Sequence, residues 1–188
     1  MALSRKSARL PSRMYSRMQP EVKRNSKRMK KTLLAVAAIA MLLVFSSAYN
    51  AKVIDSRVGY QAPNFTVSNA DTTVSLQDLK GNYVLLTFWS SADAQSRISN
   101  MHYDRIAGAN SNLQHIAVNY DRSALVFGEV SKIDNLQNGS QFFDAEGHES
   151  QLHETYRISS MGYRTLLIDP NGEIISENPS DSELAQLI

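Results

Sequence analysis

The chain has 188 residues, of which 43% are hydrophobic and 20% charged, which fits one globular domain with an additional segment. Residues 1–48 carry eleven basic residues and one acidic residue (+10), whereas residues 49–188 carry nine basic and seventeen acidic residues (−8). The acidic part excludes nucleic acid as a partner because phosphate binding needs clustered cations, and the absence of cysteine excludes disulfides and thiolate–metal sites.

Residues 29–48 carry the pattern of a secretory signal peptide. Positive charge in Met29-Lys30-Lys31 precedes an apolar run of 13 residues, Leu33–Phe45, and the small residues Ser46-Ser47-Ala48 follow. A membrane-spanning helix needs about 20 apolar residues, so cleavage is favoured and an uncleaved inner-membrane anchor is the alternative. The positive flank stays in the cytoplasm in both cases. We therefore expect the domain in the periplasm or cell envelope of a bacterium, with membrane contact only through this segment if it is uncleaved.

The segments on either side of this signal have different interpretations. Residues 1–28 form a basic extension, and Met29 has the position of a natural start, so the extension is interpreted as a start-site miscall. A cytoplasmic tail that lies on anionic lipid is the alternative. Residues 49–58 are predicted to be a polar linker, and residues 59–188 to be the folded domain.

The first predicted elements of the domain surround a buried strand. Short β-strands at 65–67 and 73–75 are predicted to form a hairpin around Ser68-Asn-Ala-Asp71, and one helical turn is predicted over 76–81. Tyr83–Trp89 is continuously apolar, β-branched or aromatic, which predicts a central strand that is buried on both faces.

The second half of the domain alternates helices and strands. The spacing predicts the following elements: a helix over 94–109, a strand over 113–119, a helix over 123–133 capped by Ser123, a short helix over 150–156, an antiparallel hairpin over 164–169 and 173–176, and a helix over 180–188. This order requires an α/β fold with a mixed sheet covered on both faces.

Four blocks in this order carry a resemblance to a known family. They are Gln61-Ala-Pro-Asn-Phe65, Leu76-x-Asp-Leu-Lys-Gly81 with the strand that ends in Phe-Trp89, Arg97, and Leu167-Ile-Asp169-Pro-Asn-Gly172-Glu-Ile. Together they resemble the exported thioredoxin-like thiol–disulfide oxidoreductase and redoxin group (TlpA-like, AhpC/TSA-related). The resemblance implies a thioredoxin-like fold with a mixed central sheet, helices on both faces and an N-terminal β-hairpin extension.

The sequence departs from this family at its redox signatures. The family has Cys-x-x-Cys-Arg at the start of the first long helix, and here Asp93 and Ser96 occupy the two cysteine positions before Arg97. Tyr163 occupies the position of the family's cis-proline. We expect the Gly162–Tyr163 bond to be trans, because a cis bond before a non-proline residue costs about 2.5–4 kcal/mol. Because disulfide exchange requires a thiolate, this chain is excluded as a thiol–disulfide oxidoreductase or peroxiredoxin.

Asp93 places a permanent carboxylate where the family has a thiolate at a helix N-terminus. We interpret it mainly as a helix cap, worth about 1 kcal/mol over alanine. The alternative is that Asp93 imitates the thiolate and binds a cationic or hydrogen-bond-donating partner. Ser96 has no base at a recognisable spacing and is interpreted as a first-turn helix residue.

A partner-binding rim is predicted around this helix start. Besides Asp93 and Ser96, its candidate residues are Trp89, Arg97, Met161, Gly162 and Tyr163. Trp89, Met161 and Tyr163 form a possible aromatic and apolar patch, and the alternatives are a Trp89 that supports the fold and a Tyr163 that is an ordinary surface residue. No metal or other cofactor is expected. His148 and His153 are five residues apart, a spacing that does not place them on one helix face, so both are interpreted as solvated polar surface.

Three functions are consistent with these residues. The first is a non-catalytic, thioredoxin-like module that binds a peptide or protein in the cell envelope. The second is a non-thiol enzyme that uses Asp93. The third is a redox accessory that assists the thiols of another protein.

Overall fold

The structure, a computed structural model, describes residues 28–37, 41, 53–137 and 139–187. The chain divides into two compact units, residues 1–51 and 52–188. Residues 28–37 of the first unit are helical, and no helix among the described residues is long and apolar enough to cross a membrane. Residues 1–27 of the predicted extension, 38–40 and 42–48 of the signal segment, and 49–52 of the linker lie outside the described residues.

The strands of the second unit form a hairpin and a five-stranded mixed sheet. The hairpin consists of β1 (Thr66–Ser68) and β2 (Thr73–Ser75). The sheet strands are β3 (Tyr83–Trp89), β4 (Leu113–Asn119), β5 (Gln141–Phe143), β6 (Thr165–Ile168) and β7 (Ile174–Glu177), arranged in the order β5-β4-β3-β6-β7. β3 and β5 run parallel to β4, whereas β6 runs antiparallel to β3 and β7.

Among its described residues this unit has five α-helices and two 3-10 turns. The helices are α1 (Ala94–Gly108), α2 (Ala124–Ile133), α3 (Gln151–Thr155), α4 (Ile158–Met161) and α5 (Asp181–Leu184), and the 3-10 turns are Leu76–Leu79 and Gly147–Glu149. Side chains of α1, α2 and α5 pack on the sheet face that carries Leu85, whereas the α3–α4 region and the hairpin pack on the opposite face. The predicted thioredoxin-like fold with helices on both faces is confirmed.

β3 is the structural centre of this domain. Its alternate residues Val84, Leu86 and Phe88 belong to one core cluster, and Leu85 and Trp89 belong to clusters that contain side chains of α1 and α2. All of these side chains are at most 1% exposed. The continuous apolar sequence of β3 therefore reflects burial on both faces, as predicted.

Most element bounds follow the sequence pattern, and the exceptions have local causes. β3 and β4 have the predicted bounds, but β5 was not predicted because three residues are too few to show a period. α4 was also not predicted, since it follows directly on Arg157, a non-glycine residue in the left-handed region (φ 55°). α5 is shorter than predicted, because helical geometry ends at Leu184.

Residues 53–58, which belong to the predicted linker, pack on the domain. Gln61 N donates to the carbonyl of Val53, and Asp55 N donates to the carbonyl of Gln61, both at 3.0 Å. The carbonyl of the buried Ser56 accepts a hydrogen bond from Arg164 (3.1 Å). The packed residues thus extend N-terminal to residue 59.

A testable consequence concerns Tyr156, which is fully buried and donates a hydrogen bond to the carbonyl of Pro63 (2.6 Å). Tyr156→Phe leaves that carbonyl unpaired in the core, so we expect the free energy of unfolding to fall by about 1–2 kcal/mol in urea denaturation of the full chain. Tyr83→Phe is the control, because Tyr83 is partly exposed and no partner of its hydroxyl is recorded among the described residues. If Tyr156→Phe and Tyr83→Phe both lowered the free energy of unfolding by less than about 0.5 kcal/mol, the buried hydrogen bond to Pro63 would be contradicted.

Candidate functional site

Asp93 caps the N-terminus of α1. Its Oδ1 accepts a hydrogen bond from Ser96 N (2.7 Å), and its own backbone is extended (φ −104°, ψ 106°), as an N-cap requires. Ser96 is buried, and its hydroxyl donates to the Asp93 carbonyl (3.2 Å) and accepts from Ser90 N (3.2 Å). Both residues at the substituted cysteine positions are therefore held by local hydrogen bonds.

Asp121 fixes the loop that joins β3 to α1. Its Oδ1 accepts hydrogen bonds from the hydroxyl of Ser90 (2.7 Å) and from the N–H of Ser91 (2.8 Å). The residue is only 8% exposed, and no partner of its Oδ2 is recorded among the described residues. The Asp121 carboxylate is thus hydrogen-bonded to the loop that precedes α1.

Tyr163 lies across the site on the loop between α4 and β6. Its ring stacks on Tyr120 with a centroid separation of 6.5 Å and an interplanar angle of 16°. Burial raises the pKa of its hydroxyl; Ser90 opposes this shift, and the carboxylates of Asp121 and Asp93 add to it. The hydroxyl therefore stays protonated at neutral pH and is available as a donor. The peptide bond before Tyr163 is trans, as predicted.

Trp89 was a candidate residue of the partner-binding rim, and its burial favours the fold-supporting alternative. The side chain is 0% exposed and packs against Phe127, with ring centroids 6.1 Å apart. As the last residue of β3, it points to the side of the sheet that α2 covers. The Trp89 indole is therefore part of the core under the loop that follows β3, and it cannot contact a partner.

Arg97 lies at the site but is already paired. Its Nε and Nη2 donate to the two carboxylate oxygens of Asp134 at 2.7 and 2.6 Å. The Asp134 side chain is only 4% exposed, and the hydrogen bonds that Arg97 donates to it raise the pKa of Arg97. This bidentate pair ties α1 to the end of α2, so Arg97 is not a free cation.

A cavity of about 290 Å³ lies between α1 and the strands β3 and β6. The candidate residues Ser96 and Tyr163 line it, together with Gln95, Ser99 and Tyr103, among others. Asp93 is not one of the lining residues, so its carboxylate does not project into this cavity. The helix-cap interpretation of Asp93 is therefore favoured over a catalytic one.

A buried polar array lies next to this cavity. Thr87 Oγ1 is 3.0 Å from His115 Nε2, and His115 Nδ1 is 3.4 Å from Asp104 Oδ1. Burial alone would raise the pKa of Asp104, but hydrogen bonds from His115, Ser140 and Gln137 outweigh it and lower the pKa. The order of hydroxyl, imidazole and carboxylate is that of a catalytic triad. Thr87 is only 1% exposed and is also bonded to Thr165 (3.0 Å), so we assign the array to the core.

The interpretation of both His148 and His153 as solvated surface is wrong for His153. His153 is 1% exposed, its Nε2 lies 2.9 Å from His148 Nδ1, and its ring contacts the ring of Tyr120 edge-on at 4.9 Å. The 3-10 turn at Gly147–Glu149 folds His148 over α3, which regular helix spacing did not anticipate. No group of three potential metal ligands is found among the described residues.

A model of the AhpC/TSA family matches residues 58–177. The chain belongs to the AhpC/TSA family. A thioredoxin-like protein from Parabacteroides distasonis is 27% identical, with a TM-score of 0.61 over 72% of this chain and 96% of that one. A thiol:disulfide interchange protein DsbE from Chlorobium tepidum is 25% identical, with a TM-score of 0.56 over 69% and 93% of the two chains.

The thioredoxin domain of a thiol-disulfide oxidoreductase from Bacteroides vulgatus shares the fold at 24% identity, with a TM-score of 0.58 over 69% of this chain and 94% of that one. No curated protein matches this sequence. The predicted membership of the thioredoxin-like redoxin group is thus confirmed. This AhpC/TSA-family chain contains no cysteine at any position.

Substitution of Asp93 separates capping from charge in this AhpC/TSA-family protein. We expect Asp93→Ala to lower the free energy of unfolding by about 1 kcal/mol, because Ser96 N loses its acceptor. Asp93→Asn keeps an acceptor oxygen, so we expect it to lower the free energy of unfolding by only about 0.3 kcal/mol. Urea denaturation of the three proteins measures both values. Equal losses in the Asn and Ala variants would show that the charge, and not the cap, is what stabilises α1.

The two buried histidines predict a pH dependence of stability. Burial lowers the pKa of His115 below 6.5, against the opposing effect of Asp104. Burial and the proximity of His148 lower the pKa of His153, against the effect of Asp144. Since both values are lower in the folded chain, the unfolded chain binds more protons below about pH 6.5. Stability should therefore be constant above that pH and decrease as the pH falls from 6.5.

Thermal or urea unfolding between pH 8 and pH 5 measures this dependence. His153→Gln removes one of the two groups, so its stability should fall less steeply with acid than that of the unsubstituted chain. His102→Gln is the matched control, because His102 is exposed and paired with Asp181. A pH profile that is flat between 7 and 5 would contradict the burial of neutral imidazoles.

Proposed function

We propose that this chain is a thioredoxin-like protein of the bacterial cell envelope that binds a peptide or protein partner and does not exchange disulfides. The observation that carries the proposal is the pairing of a complete family fold with the absence of every cysteine. Disulfide exchange proceeds by attack of a thiolate, and the chain has none. The chain retains the start of α1 and, opposite it, the loop between α4 and β6.

The main-chain groups of this helix start and loop support peptide binding. The first N–H groups of a helix have no intrahelical acceptor, and no partner of the N–H of Ala94 or Gln95 is recorded among the described residues. The same is true of the N–H and C=O of Tyr163, on the opposite side. In the family that the sequence resembles, this loop presents main-chain groups to a substrate peptide. An extended peptide between the two segments would find donors and acceptors on both sides.

The side chains that surround these groups favour a protein partner. Met161 is 41% exposed. Gly162 beside it is also exposed, and its backbone conformation (φ 76°, ψ 179°) is one that favours glycine, so no side chain covers the main chain there. The ring of Tyr163 adds a flat, amphipathic contact. The proposed rim therefore consists of Asp93, Met161, Gly162 and Tyr163, without Trp89 and Arg97.

The envelope location rests on the signal-peptide pattern of residues 29–48 and on the charge asymmetry that follows it. Cleavage after Ala48 would release the domain, and retention of the segment would anchor it. The same partner-binding surface would face the outside of the inner membrane in either form.

A second candidate is a redox accessory, which positions the thiols of another protein. The observation that favours it is the fold similarity to the DsbE and thiol-disulfide oxidoreductase structures. Such an accessory would bind one of its partners through a cysteine-containing segment. A non-thiol enzyme that uses Asp93 is less supported, because Asp93 does not line the adjacent cavity.

The absence of disulfide exchange is tested by an insulin-reduction assay. The purified full chain with dithiothreitol should precipitate insulin at the rate of dithiothreitol alone. A double variant, Asp93→Cys with Ser96→Cys, restores the family's spacing and controls for the assay. Turnover by the unsubstituted chain above the dithiothreitol background would overturn the proposal.

Partner binding is tested by crosslinking the full chain in the envelope fraction and identifying captured proteins by mass spectrometry. We expect one stoichiometric partner, whose recovery falls at least about tenfold, equivalent to 1.4 kcal/mol, with Tyr163→Ala and Asp93→Asn combined. Leu125→Ser, an exposed residue at the start of α2, is the control and should leave recovery unchanged. A partner captured through its own cysteine would favour the redox accessory, and capture that is equal in all variants would refute this rim.

A further inference from the structure

A second cleft, of about 580 Å³, shares no described lining residue with the cavity near Ser96. The cleft lies between β1, the end of β5 and α3. Its volume is within the range of about 300–1,000 Å³ that is typical of ligand sites. The buried side chains of Phe65, Val118 and Phe142 form an apolar floor, and the proposed rim uses none of these residues.

One wall of the cleft is a free strand edge. The bonds from Leu76 N to the Phe65 carbonyl (3.1 Å) and from Asn69 N to the Thr72 carbonyl (2.9 Å) bracket the β1–β2 ladder. In an antiparallel pair, hydrogen-bonded positions alternate, so Val67 faces β2 and the main-chain groups of Thr66 and Ser68 face away from it. No main-chain partner of Thr66 or Ser68 is recorded among the described residues, and both residues line the cleft.

The opposite wall also presents an open edge. Ala117 N donates to the Ser140 carbonyl (2.8 Å) and Asp144 N donates to the Asn119 carbonyl (3.0 Å), which places the even-numbered residues of β5 in the ladder with β4. The main chain of Phe143 therefore points outward, into the cleft. A side-chain bond from Asn69 Nδ2 to the Gln141 carbonyl (3.3 Å) links the hairpin to β5 at one end of the cleft.

The charged groups of the cleft have one sign. Among the described residues, Asp144 and Glu146 are the only charged ones that line it, and no described Lys, Arg or His does. Asp144 is partly exposed and Glu146 is exposed, so both carboxylates are reachable from solvent. An unpaired strand edge that a soluble protein leaves open is a template for an added strand. Carboxylates beside such an edge select a cationic side chain.

We infer that this cleft binds an extended, basic segment of a partner protein, which adds a strand to β1 and pairs a Lys or Arg side chain with Asp144 and Glu146. Main-chain hydrogen bonds to Thr66 and Ser68 would give the affinity, and the apolar floor would take the alternate side chains of the segment. The inference does not depend on the rim at Tyr163, because it uses a different surface and a different part of the main chain.

The test uses the purified full chain and three labelled pentapeptides in fluorescence anisotropy. The first alternates threonine and valine around a central lysine, the second has glutamate in place of lysine, and the third is the lysine peptide with N-methylated main chain. We expect binding of the first peptide alone. Asp144→Asn and Glu146→Gln should each weaken that binding by roughly three- to fivefold, as expected for partly exposed ion pairs. Glu149→Gln, an exposed acidic residue outside the cleft, is the control and should have no effect.

A photoreactive version of the lysine peptide locates the contact. Crosslinks to residues 64–68 and 142–146 are expected. Equal binding of the lysine and glutamate peptides would overturn the charge selection, and full binding of the N-methylated peptide would overturn strand addition. Crosslinks confined to residues 161–163 would overturn the location and would leave the proposed rim at Tyr163 supported by itself.

Discussion

The burial of β3 on both of its faces is the constraint on which the rest of this domain depends. Because Val84, Leu86 and Phe88 pack on one side and Leu85 and Trp89 on the other, the strand has one possible register and one possible end point. The loop after Trp89 and the start of α1 are therefore held in a fixed place. Thioredoxin-like enzymes use that place for thiols, and this chain keeps the same place with other residues.

The side chains of the substituted helix start are held by local hydrogen bonds. Asp93 accepts from Ser96 N, the Ser96 hydroxyl bonds the main chain of Ser90 and Asp93, and Asp121 holds the preceding loop. Charge at a helix N-terminus is favourable whether or not it is reactive. The structure thus separates two properties that a catalytic cysteine combines, namely negative charge at the helix start and chemical reactivity, and retains the first.

The sequence was sufficient for the fold but only in part for the site. The period and apolar continuity of β3 and β4 reflect local burial, and Asp93 as a cap follows from its place before an amphipathic helix.

The pairing of Arg97 with Asp134 joins residues 37 positions apart, which no local pattern reveals. The burial of Trp89 and His153 could not be decided from the local sequence for the same reason, since it depends on α2 and on Tyr120, which pack against them from distant parts of the chain. The free edge of β1 was likewise not predictable, because it depends on what the other strands leave uncovered.

The carboxylate at the start of α1 also changes how this surface responds to its surroundings. A thiol at that position is converted by oxidants to a disulfide or sulfenic acid, and the charge of the helix start changes with it. Asp93 has no such chemistry. The surface beside α1 therefore keeps the same charge and the same hydrogen bonds through changes of redox potential that would oxidise or reduce a dithiol at this position.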